Sequence, residues 1–324
     1  MTACRGTYRE ASVFVGGYNS FGMKFNLFTA IYAVALVATS ERARGQLSAT
    51  QPSTQPSAEI VPEGTNPLVF PGAIYQGTPA VRIAAPAGCK LLHLTTARGD
   101  DVVALFGPAI DSVGQAELDF RRRPTFIYFY GNGESIAFSL RVFDLFRRMG
   151  VNVLNPDYVG YGMSGGKPSE AALYATADAC YDYLTKEYGV APRTIIAVGW
   201  SLGGGVATDL ASRREVGGLA IFNAFTNLTD MAHHMLPWLP AAAKATYRFD
   251  NLAKVPSVHV PIFICNGVRD TFVPPEMSDR LAGAAGGTVM RVGVASADHN
   301  IFVGDVSGVI GPLRRFVAGL AAKP

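Results

Sequence analysis

From residue 79 to the C-terminus, short apolar runs of strand length alternate with longer stretches that have helical periodicity. The short runs predict strands at 81–84, 91–96, 102–106, 125–130, 151–155, 194–199, 217–222, 261–266 and 288–294. The stretches between them predict helices at 136–149, 170–187, 202–213, 275–285 and 307–321. Because strands that alternate with helices build parallel sheets, the pattern predicts an α/β fold with a mostly parallel central sheet and helices on both faces.

The section 225–259 interrupts this alternation, and we expect it to form a small cap at the carboxyl edge of the sheet. It is rich in large apolar side chains, among them Phe225, Met231, Met235 and Trp238. Such a cluster either packs into the core or lines a hydrophobic pocket. We treat these four residues as a candidate substrate pocket. Because the cap is short, we expect an open site without deep lid closure.

The N-terminal part of the chain differs from the rest. Residues 27–38 form an apolar stretch as long as the central region of a signal peptide, whereas a spanning helix needs about 20 residues. We therefore expect residues 1–45, with Met23 as an alternative start, to direct export to the periplasm or the cell exterior, or to remain as a membrane anchor. Residues 46–78 are rich in Ser, Thr, Gln and Pro, which predicts a disordered linker before a folded domain at 79–324.

Composition narrows the function classes. The chain has 324 residues, 49% of them hydrophobic and 16% charged, so it can bury one large core. A formal net charge of +3 does not indicate a nucleic-acid partner. His233 and His234 are adjacent on a predicted helix and point in different directions, and the spacing of the four cysteines indicates neither a metal site nor a disulfide. We expect no metal and no cofactor.

The pentapeptide Gly199-Trp200-Ser201-Leu202-Gly203 lies between a predicted strand and a predicted helix. This G-x-S-x-G arrangement is typical of a tight turn that holds a nucleophilic serine at the sheet edge. Gly199 and Gly203 lie where strand and helix crowd together and a side chain would collide. A glycine-rich turn can also be simple punctuation between elements. The motif predicts Ser201 as a nucleophile if partners for it follow.

Two partners follow in the required order. A serine nucleophile of this kind needs a carboxylate and then a histidine, each after a later strand of the same sheet. Asp270 follows the run 261–266, and His299 is the only histidine after Asp270. Asp298 is the rival carboxylate, but its side chain should diverge from its sequence neighbour. We therefore predict Ser201, His299 and Asp270 as the catalytic residues.

Acyl transfer also requires donors for the developing oxyanion. The run 125–130 breaks into Gly131-Asn132-Gly133, where glycines let the backbone turn an N–H toward the site. We predict the backbone N–H groups of Asn132 and Leu202 as the oxyanion hole, with Gly133 as the alternative to Asn132. An ordinary Gly-Asn-Gly turn is the competing interpretation.

Taken together, four segments resemble the α/β-hydrolase superfamily. They are 128–133 (Tyr-Phe-Tyr-Gly-Asn-Gly), 157–170 (beginning Asp-Tyr-Val-Gly-Tyr-Gly), 199–204 (Gly-Trp-Ser-Leu-Gly-Gly) and 266–274 (beginning Asn-Gly-Val-Arg-Asp). Within the superfamily they are most similar to small-cap, often membrane-associated serine hydrolases that include protein depalmitoylases and monoacylglycerol or lysophospholipid lipases. The resemblance covers about residue 79 to the C-terminus and implies an α/β-hydrolase catalytic domain.

The resemblance implies a serine hydrolase that cleaves carboxylic esters or thioesters through an acyl-enzyme, with a small-molecule or lipid-like acyl substrate and possible membrane association through the N-terminus. The alternatives are a serine peptidase or amidase on the same fold and a non-catalytic binding protein. Two residues depart from the family pattern. Tyr130 stands where the family usually has His, and Glu134 adds a carboxylate beside the predicted oxyanion hole, which could disfavour anionic acyl groups.

Overall fold

A computed structural model of the chain describes residues 69–111, 113–115, 123–238 and 247–321. Its strands form one eight-stranded sheet in the order β1-β2-β4-β3-β5-β6-β7-β8. The strands are β1 (Lys90–Thr95), β2 (Asp101–Gly107), β3 (Thr125–Phe129), β4 (Asn152–Pro156), β5 (Ile195–Trp200), β6 (Gly218–Phe222), β7 (Ile262–Gly267) and β8 (Val289–Val294). The predicted export segment at 27–38 and most of the predicted linker lie outside the described residues.

The sheet is mostly parallel, as the alternating pattern predicts. β2 pairs antiparallel with β1 and β4, and every other neighbouring pair, from β4 and β3 across to β7 and β8, is parallel. β3, β4, β6 and β7 are buried along their whole length, whereas β1 and β8 at the edges are partly exposed. The predicted catalytic and oxyanion residues at the carboxyl ends of β3, β5, β7 and β8 therefore lie at one edge of the sheet.

Seven α-helices accompany the sheet in the described part of the chain. They are α1 (Ile136–Arg147), α2 (Glu170–Asp182), α3 (Leu202–Arg213), α4 (Leu228–Met235), α5 (Asn251–Lys254), α6 (Pro275–Ala284) and α7 (Ser307–Ala321). The predicted helix at 170–187 ends earlier as an α-helix, because its last turn, Tyr183–Glu187, winds more loosely as a π-helix. Only α4, α5 and a short 3-10 turn are described within the cap section 225–259.

The start of the domain differs from the sequence prediction in two ways. The strand predicted at 81–84 is wrong: Pro79 opens a 3-10 turn, Pro79–Val81, since its fixed φ favours the first turn of a helix. Residues 69–78, assigned above to the linker, pack against the domain, and Phe70 is fully buried. The ordered fold of the described chain therefore begins before the predicted boundary at 79.

Two further features of the described residues concern their helices and their cysteines. None of their helices combines the length and the hydrophobicity needed to cross a bilayer. Cys89, Cys180 and Cys265 are free thiols, and burial raises the pKa of each of them.

Candidate active site

Ser201 occupies the tight turn between β5 and α3. Its backbone has φ 54° and ψ −118°, a left-handed conformation that is strained for a residue with a side chain. A Cβ on Gly203 would collide with the Phe129 carbonyl, and one on Gly199 would collide with the Gly203 carbonyl. The two glycines are therefore required where strand and helix approach each other, and the turn holds Ser201 at the sheet edge.

His299 lies between the serine and the predicted acid. Its Nε2 is 3.1 Å from Ser201 Oγ, and its Nδ1 is 2.8 Å from Asp270 Oδ2. The histidine comes from the loop after β8, and the aspartate from the loop after β7. The structure thus brings together all three predicted residues in one hydrogen-bonded chain.

Asp270 is held as a hydrogen-bond acceptor on both oxygens. Oδ1 accepts the backbone N–H groups of Phe272 and Val273 at 2.9 Å each, while Oδ2 accepts Asn223 Nδ2 at 2.6 Å. Its side chain is fully buried. The loop and Asn223 thus fix the carboxyl group behind the imidazole.

Asp298, the rival carboxylate, faces elsewhere. It is exposed, and its Oδ1 accepts the backbone N–H of Asn300 at 2.8 Å. Its backbone carbonyl accepts Asn223 Nδ2 at 3.1 Å. The side chain that contacts His299 is therefore that of Asp270.

Asn223 is a site residue that the sequence analysis missed. It follows β6, is fully buried and has φ 45°, a conformation that asparagine tolerates better than most residues. Its Nδ2 donates to Asp270 and to the Asp298 carbonyl, and its Oδ1 accepts the Gly267 N–H at 3.3 Å. The sequence signal that could have identified it is an asparagine directly after an apolar strand.

Trp200, beside the serine, is a second site residue that the sequence analysis missed. Its Nε1 donates to the His299 carbonyl at 3.1 Å, and its ring lies 5.5 Å from the imidazole between centroids. A Cβ on Gly131 would lie 2.8 Å from the indole. Trp200 therefore separates the histidine loop from the loop that follows β3.

The two predicted oxyanion donors lie on either side of this turn. Leu202 is the first residue of α3, where the partial positive charge of a helix N-terminus is concentrated. Asn132 lies in the loop after β3, the strand that pairs with β5. Its side chain accepts the Tyr161 hydroxyl at 2.6 Å and donates to the Val69 carbonyl at 2.7 Å.

Comparison with solved structures identifies this architecture. An esterase of Pyrococcus furiosus superposes with a TM-score of 0.55 at 17% identity, over 71% of this chain and 90% of the esterase. The chain has the α/β-hydrolase fold. This confirms the fold that the sequence motifs predicted.

The curated relatives match only part of this chain. An uncharacterized protein of Mycobacterium tuberculosis is 36% identical over 152 residues, 47% of this chain and 54% of the relative. Alpha/beta hydrolase domain-containing protein 17B of Xenopus laevis is 30% identical over 182 residues, 55% of this chain and 58% of the relative. The chain thus spans little more than half the length of these relatives. No family model matches it.

Two carboxyl groups lie buried under the loop after β3 of this hydrolase fold. Burial raises the pKa of Glu134 to about 8, although a hydrogen bond from the Gly131 N–H opposes the shift. Burial also raises the pKa of Asp157 to about 6, opposed by bonds from the N–H groups of Met163 and Ile136 and from the Tyr130 hydroxyl. Glu134 is therefore mostly neutral at pH 7 and adds less negative charge beside the loop than its sequence suggested.

The four candidate pocket residues do not share one environment. Phe225 and Met231 are buried in the core of the domain, and Met235 is half-buried against it. Trp238 is 70% exposed. Two of the four thus have the packing role that the sequence left open, and Trp238 presents its indole to solvent.

The arrangement contains no obvious metal centre. Within the part of the chain that the structure describes, no three His, Cys, Asp or Glu side chains gather closely enough to hold a metal ion. What the site offers is a serine hydroxyl, an imidazole within hydrogen-bond reach and a buried carboxyl group behind it. That set can carry out nucleophilic acyl transfer with proton shuttling.

Proposed function

We propose that this chain is a serine hydrolase that cleaves carboxylic esters or thioesters through an acyl-enzyme. The observation that carries the proposal is the continuous hydrogen-bonded chain from Ser201 Oγ through His299 to Asp270. A nucleophile, a base within about 3 Å and a third group that orients the base form the recurring signature of activated serine nucleophiles.

The first half of the reaction forms the acyl-enzyme. Ser201 Oγ attacks the acyl carbon while His299 Nε2 takes the hydroxyl proton, giving a tetrahedral oxyanion and an imidazolium. The carbon–oxygen or carbon–sulfur bond to the leaving group then breaks, and His299 returns the proton to that group. Asp270 orients the ring through Nδ1 and stabilises its positive charge.

The second half repeats these steps with water. His299 removes a proton from water, whose oxygen attacks the acyl carbon, and the same proton is then delivered to Ser201 Oγ as the acid leaves. In both halves the N–H groups of Leu202 and Asn132 would stabilise the oxyanion, and Leu202 adds the field of the α3 N-terminus.

The surroundings of the site favour apolar acyl substrates. Three large apolar side chains are exposed in the segments that follow β6, β7 and β8: Trp238 after α4, Val268 on the Asp270 loop and Val303 beyond His299. Each buried methylene contributes about 0.8 kcal/mol, so contact with these side chains would favour longer acyl chains. A lipid-like acyl group is therefore the proposed substrate class.

We also propose that the N-terminal apolar stretch at 27–38 exports the enzyme or anchors it to a membrane. Its length and composition support either role. Cell fractionation of the full chain, with sequencing of the mature N-terminus, separates the two: a new N-terminus near residue 46 in the soluble fraction indicates cleavage. An intact chain that salt washing does not release from membranes indicates an anchor, whereas an intact soluble chain would contradict both.

A fluorophosphonate tests the proposed nucleophile directly. The purified protein is labelled and mapped by peptide mass spectrometry, with Ser201→Ala as the matched control. We expect modification at Ser201 that the substitution abolishes, together with loss of hydrolysis of p-nitrophenyl esters. Folded protein that remains unlabelled would overturn the proposal. Matched ester, thioester and anilide substrates then decide the bond class, and preference for the anilide would favour an amidase.

A further inference from the structure

We propose that residues 69–72 and Tyr161 are positioning elements for the loop after β3 (residues 130–135, the oxyanion loop), on which they act through Asn132. This inference rests on the proposed function, because it assigns a role within the same reaction. It also links residues that precede the first strand to the chemistry at Ser201.

Asn132 is held by hydrogen bonds to both its side chain and its backbone. Its Oδ1 accepts the Tyr161 hydroxyl at 2.6 Å, its Nδ2 donates to the Val69 carbonyl at 2.7 Å, and its own carbonyl accepts the Gly72 N–H at 3.1 Å. Three bonds in different directions fix both the side chain and the following peptide. They therefore restrict the rotation of the backbone that carries the proposed donor N–H.

The segment 69–72 is itself held firmly in the fold. Phe70 is fully buried, with its ring 4.9 Å from that of Tyr247 and 6.5 Å from that of Tyr161, between centroids. Gly72 lies flat against the Tyr161 ring, and a Cβ there would collide with the ring and reach 3.0 Å from the Asn132 carbonyl. Gly72 is therefore the residue that allows the segment to approach Asn132 and Tyr161 together.

The entry to the oxyanion loop is fixed from the same side. The Tyr130 hydroxyl donates to Asp157 Oδ1 at 2.8 Å, and the Tyr158 hydroxyl donates to the Tyr130 carbonyl at 2.7 Å. Asp157 Oδ1 also accepts the N–H of Ile136, the first residue of α1. Tyr130 is thus held at its side chain and its carbonyl, immediately before Gly131. Together with the contacts on Asn132, these hydrogen bonds form a frame around the oxyanion loop. The frame explains how Tyr130 can stand in place of the family's histidine without loosening the loop.

The direction of the expected effect follows from what the frame holds. An oxyanion donor acts on the tetrahedral intermediate and not on the ground-state carbonyl, so disturbing it lowers kcat more than it raises KM. Loss of one donor costs about 10²–10³ in kcat, and a donor that is only misoriented costs less. We expect that removing one contact of this frame lowers kcat about tenfold.

The central test compares Tyr161→Phe with Tyr181→Phe. Both substitutions remove one hydroxyl that bonds a main-chain or side-chain oxygen, but the Tyr181 hydroxyl donates to Glu215, away from the site, at 2.8 Å. We expect Tyr161→Phe to lower kcat about tenfold with KM within a factor of about two, and Tyr181→Phe to leave both unchanged. Affinity for a trifluoromethyl ketone, which mimics the tetrahedral intermediate, should fall by the same factor as kcat/KM.

A double-mutant cycle tests whether Tyr161 acts through Asn132. Asn132→Ala keeps the backbone N–H but removes the side-chain contacts. In that background Tyr161→Phe should cost nothing further, because the bond it removes is already absent. Losses that multiply, or a Tyr161→Phe enzyme with native kcat, would overturn the proposal. A native enzyme that fails to label or hydrolyse would instead refute the proposed function itself.

Gly72→Ala tests the N-terminal side of the frame. The added methyl must displace Tyr161 or the segment 69–72, so kcat and ketone affinity should fall together as they do for Tyr161→Phe. Gly77→Ala serves as its control for a glycine replaced in the same segment, since a Cβ there meets no atom within 4 Å, although its φ of 69° adds local strain. Equal kinetic effects from the two glycines would argue against a specific role for residue 72.

Discussion

Asn223 donates a hydrogen bond of 2.6 Å to Asp270 Oδ2, the same oxygen that faces His299. Through the Asp298 carbonyl and the Gly267 N–H, Asn223 also joins the loop after β7 to the loop that carries the histidine. The Asn223 amide thus fixes the position of the Asp270 carboxyl group relative to the His299 imidazole. Its location after β6 means that a neighbouring strand, rather than the acid's own loop, sets this geometry.

Replacing Asn223 by Gly should slow the reaction without weakening substrate binding. Glycine accepts the φ of 45° at this position, so the change removes the amide without adding backbone strain. A hydrogen bond to a charged group contributes about 1.5–3 kcal/mol, so loss of this amount at the barrier lowers kcat about tenfold to a hundredfold. Steady-state kinetics checks this, with the exposed loop variant Asn300→Gly as control; equal effects would contradict the assigned role.

Asp270→Asn should reduce kcat by about 10²–10⁴ while the protein stays folded. The imidazole loses its orienting anion, and the neutral amide can present an N–H to Nδ1 and select the wrong tautomer. Asp298→Asn should have little effect, because that carboxylate is exposed and bonds only the Asn300 N–H among the contacts described here. If the Asp298 variant is the more impaired of the two, the proposed acid is misassigned.

Glu134→Gln should change the pH dependence of stability. The unfolded chain releases this proton near pH 4.5 and the folded chain near 8, so the folded state holds the extra proton in between. Native stability therefore falls as pH rises from about 4.5 to about 8, a dependence that glutamine lacks. Thermal melts of the two proteins should differ little at pH 4 and increasingly favour the variant up to pH 8. A constant difference at every pH would show that Glu134 titrates normally.

The cap residues should separate into two classes. Phe225→Ala and Met231→Ala remove buried core side chains and should destabilise the domain by about 2–5 kcal/mol. Trp238→Ala removes an exposed side chain and should change stability by less than about 0.5 kcal/mol. Urea unfolding measures both effects.

Trp238 can still contact long acyl chains. Its replacement by alanine should lower kcat/KM for octanoyl esters and leave acetyl esters unaffected, because acetate is too short to reach the indole. An equal loss on both esters would show that Trp238 does not select for chain length. The matched control is Val113→Ala, which also shortens an exposed apolar side chain. Val113 follows β2, whose C-terminal end lies at the opposite edge of the sheet because β2 is antiparallel to β4.

The sequence was sufficient to predict features that depend on neighbouring residues or on the order of residues along the chain. Ser201 was predictable because glycines at 199 and 203 are needed for a strand and a helix to meet, and that need is written in adjacent residues. His299 followed from chain order alone, since no other histidine comes after Asp270. The strand and helix pattern succeeded for the same reason, as hydrophobic period is a local property.

What the sequence did not indicate is carried by long-range contacts. Asn223 reaches Asp270 across 47 positions, and Tyr161 reaches Asn132 across 29, so neither pairing leaves a spacing that a single sequence reveals. Residues 69–78 fall within the predicted linker, yet Phe70 is buried by partners far along the chain, among them Tyr247. Likewise, Phe225 and Trp238 are both large apolar residues of the cap section, yet the first is buried and the second is exposed.

The indole beside the serine also makes this site observable by light. The chain contains two tryptophans, and Trp238→Phe would leave Trp200 as the single indole fluorophore, with its ring 5.5 Å from the His299 imidazole. An imidazolium quenches indole emission more strongly than a neutral imidazole. The emission of that variant as a function of pH would therefore report when the histidine takes up its proton, in resting enzyme and without any substrate.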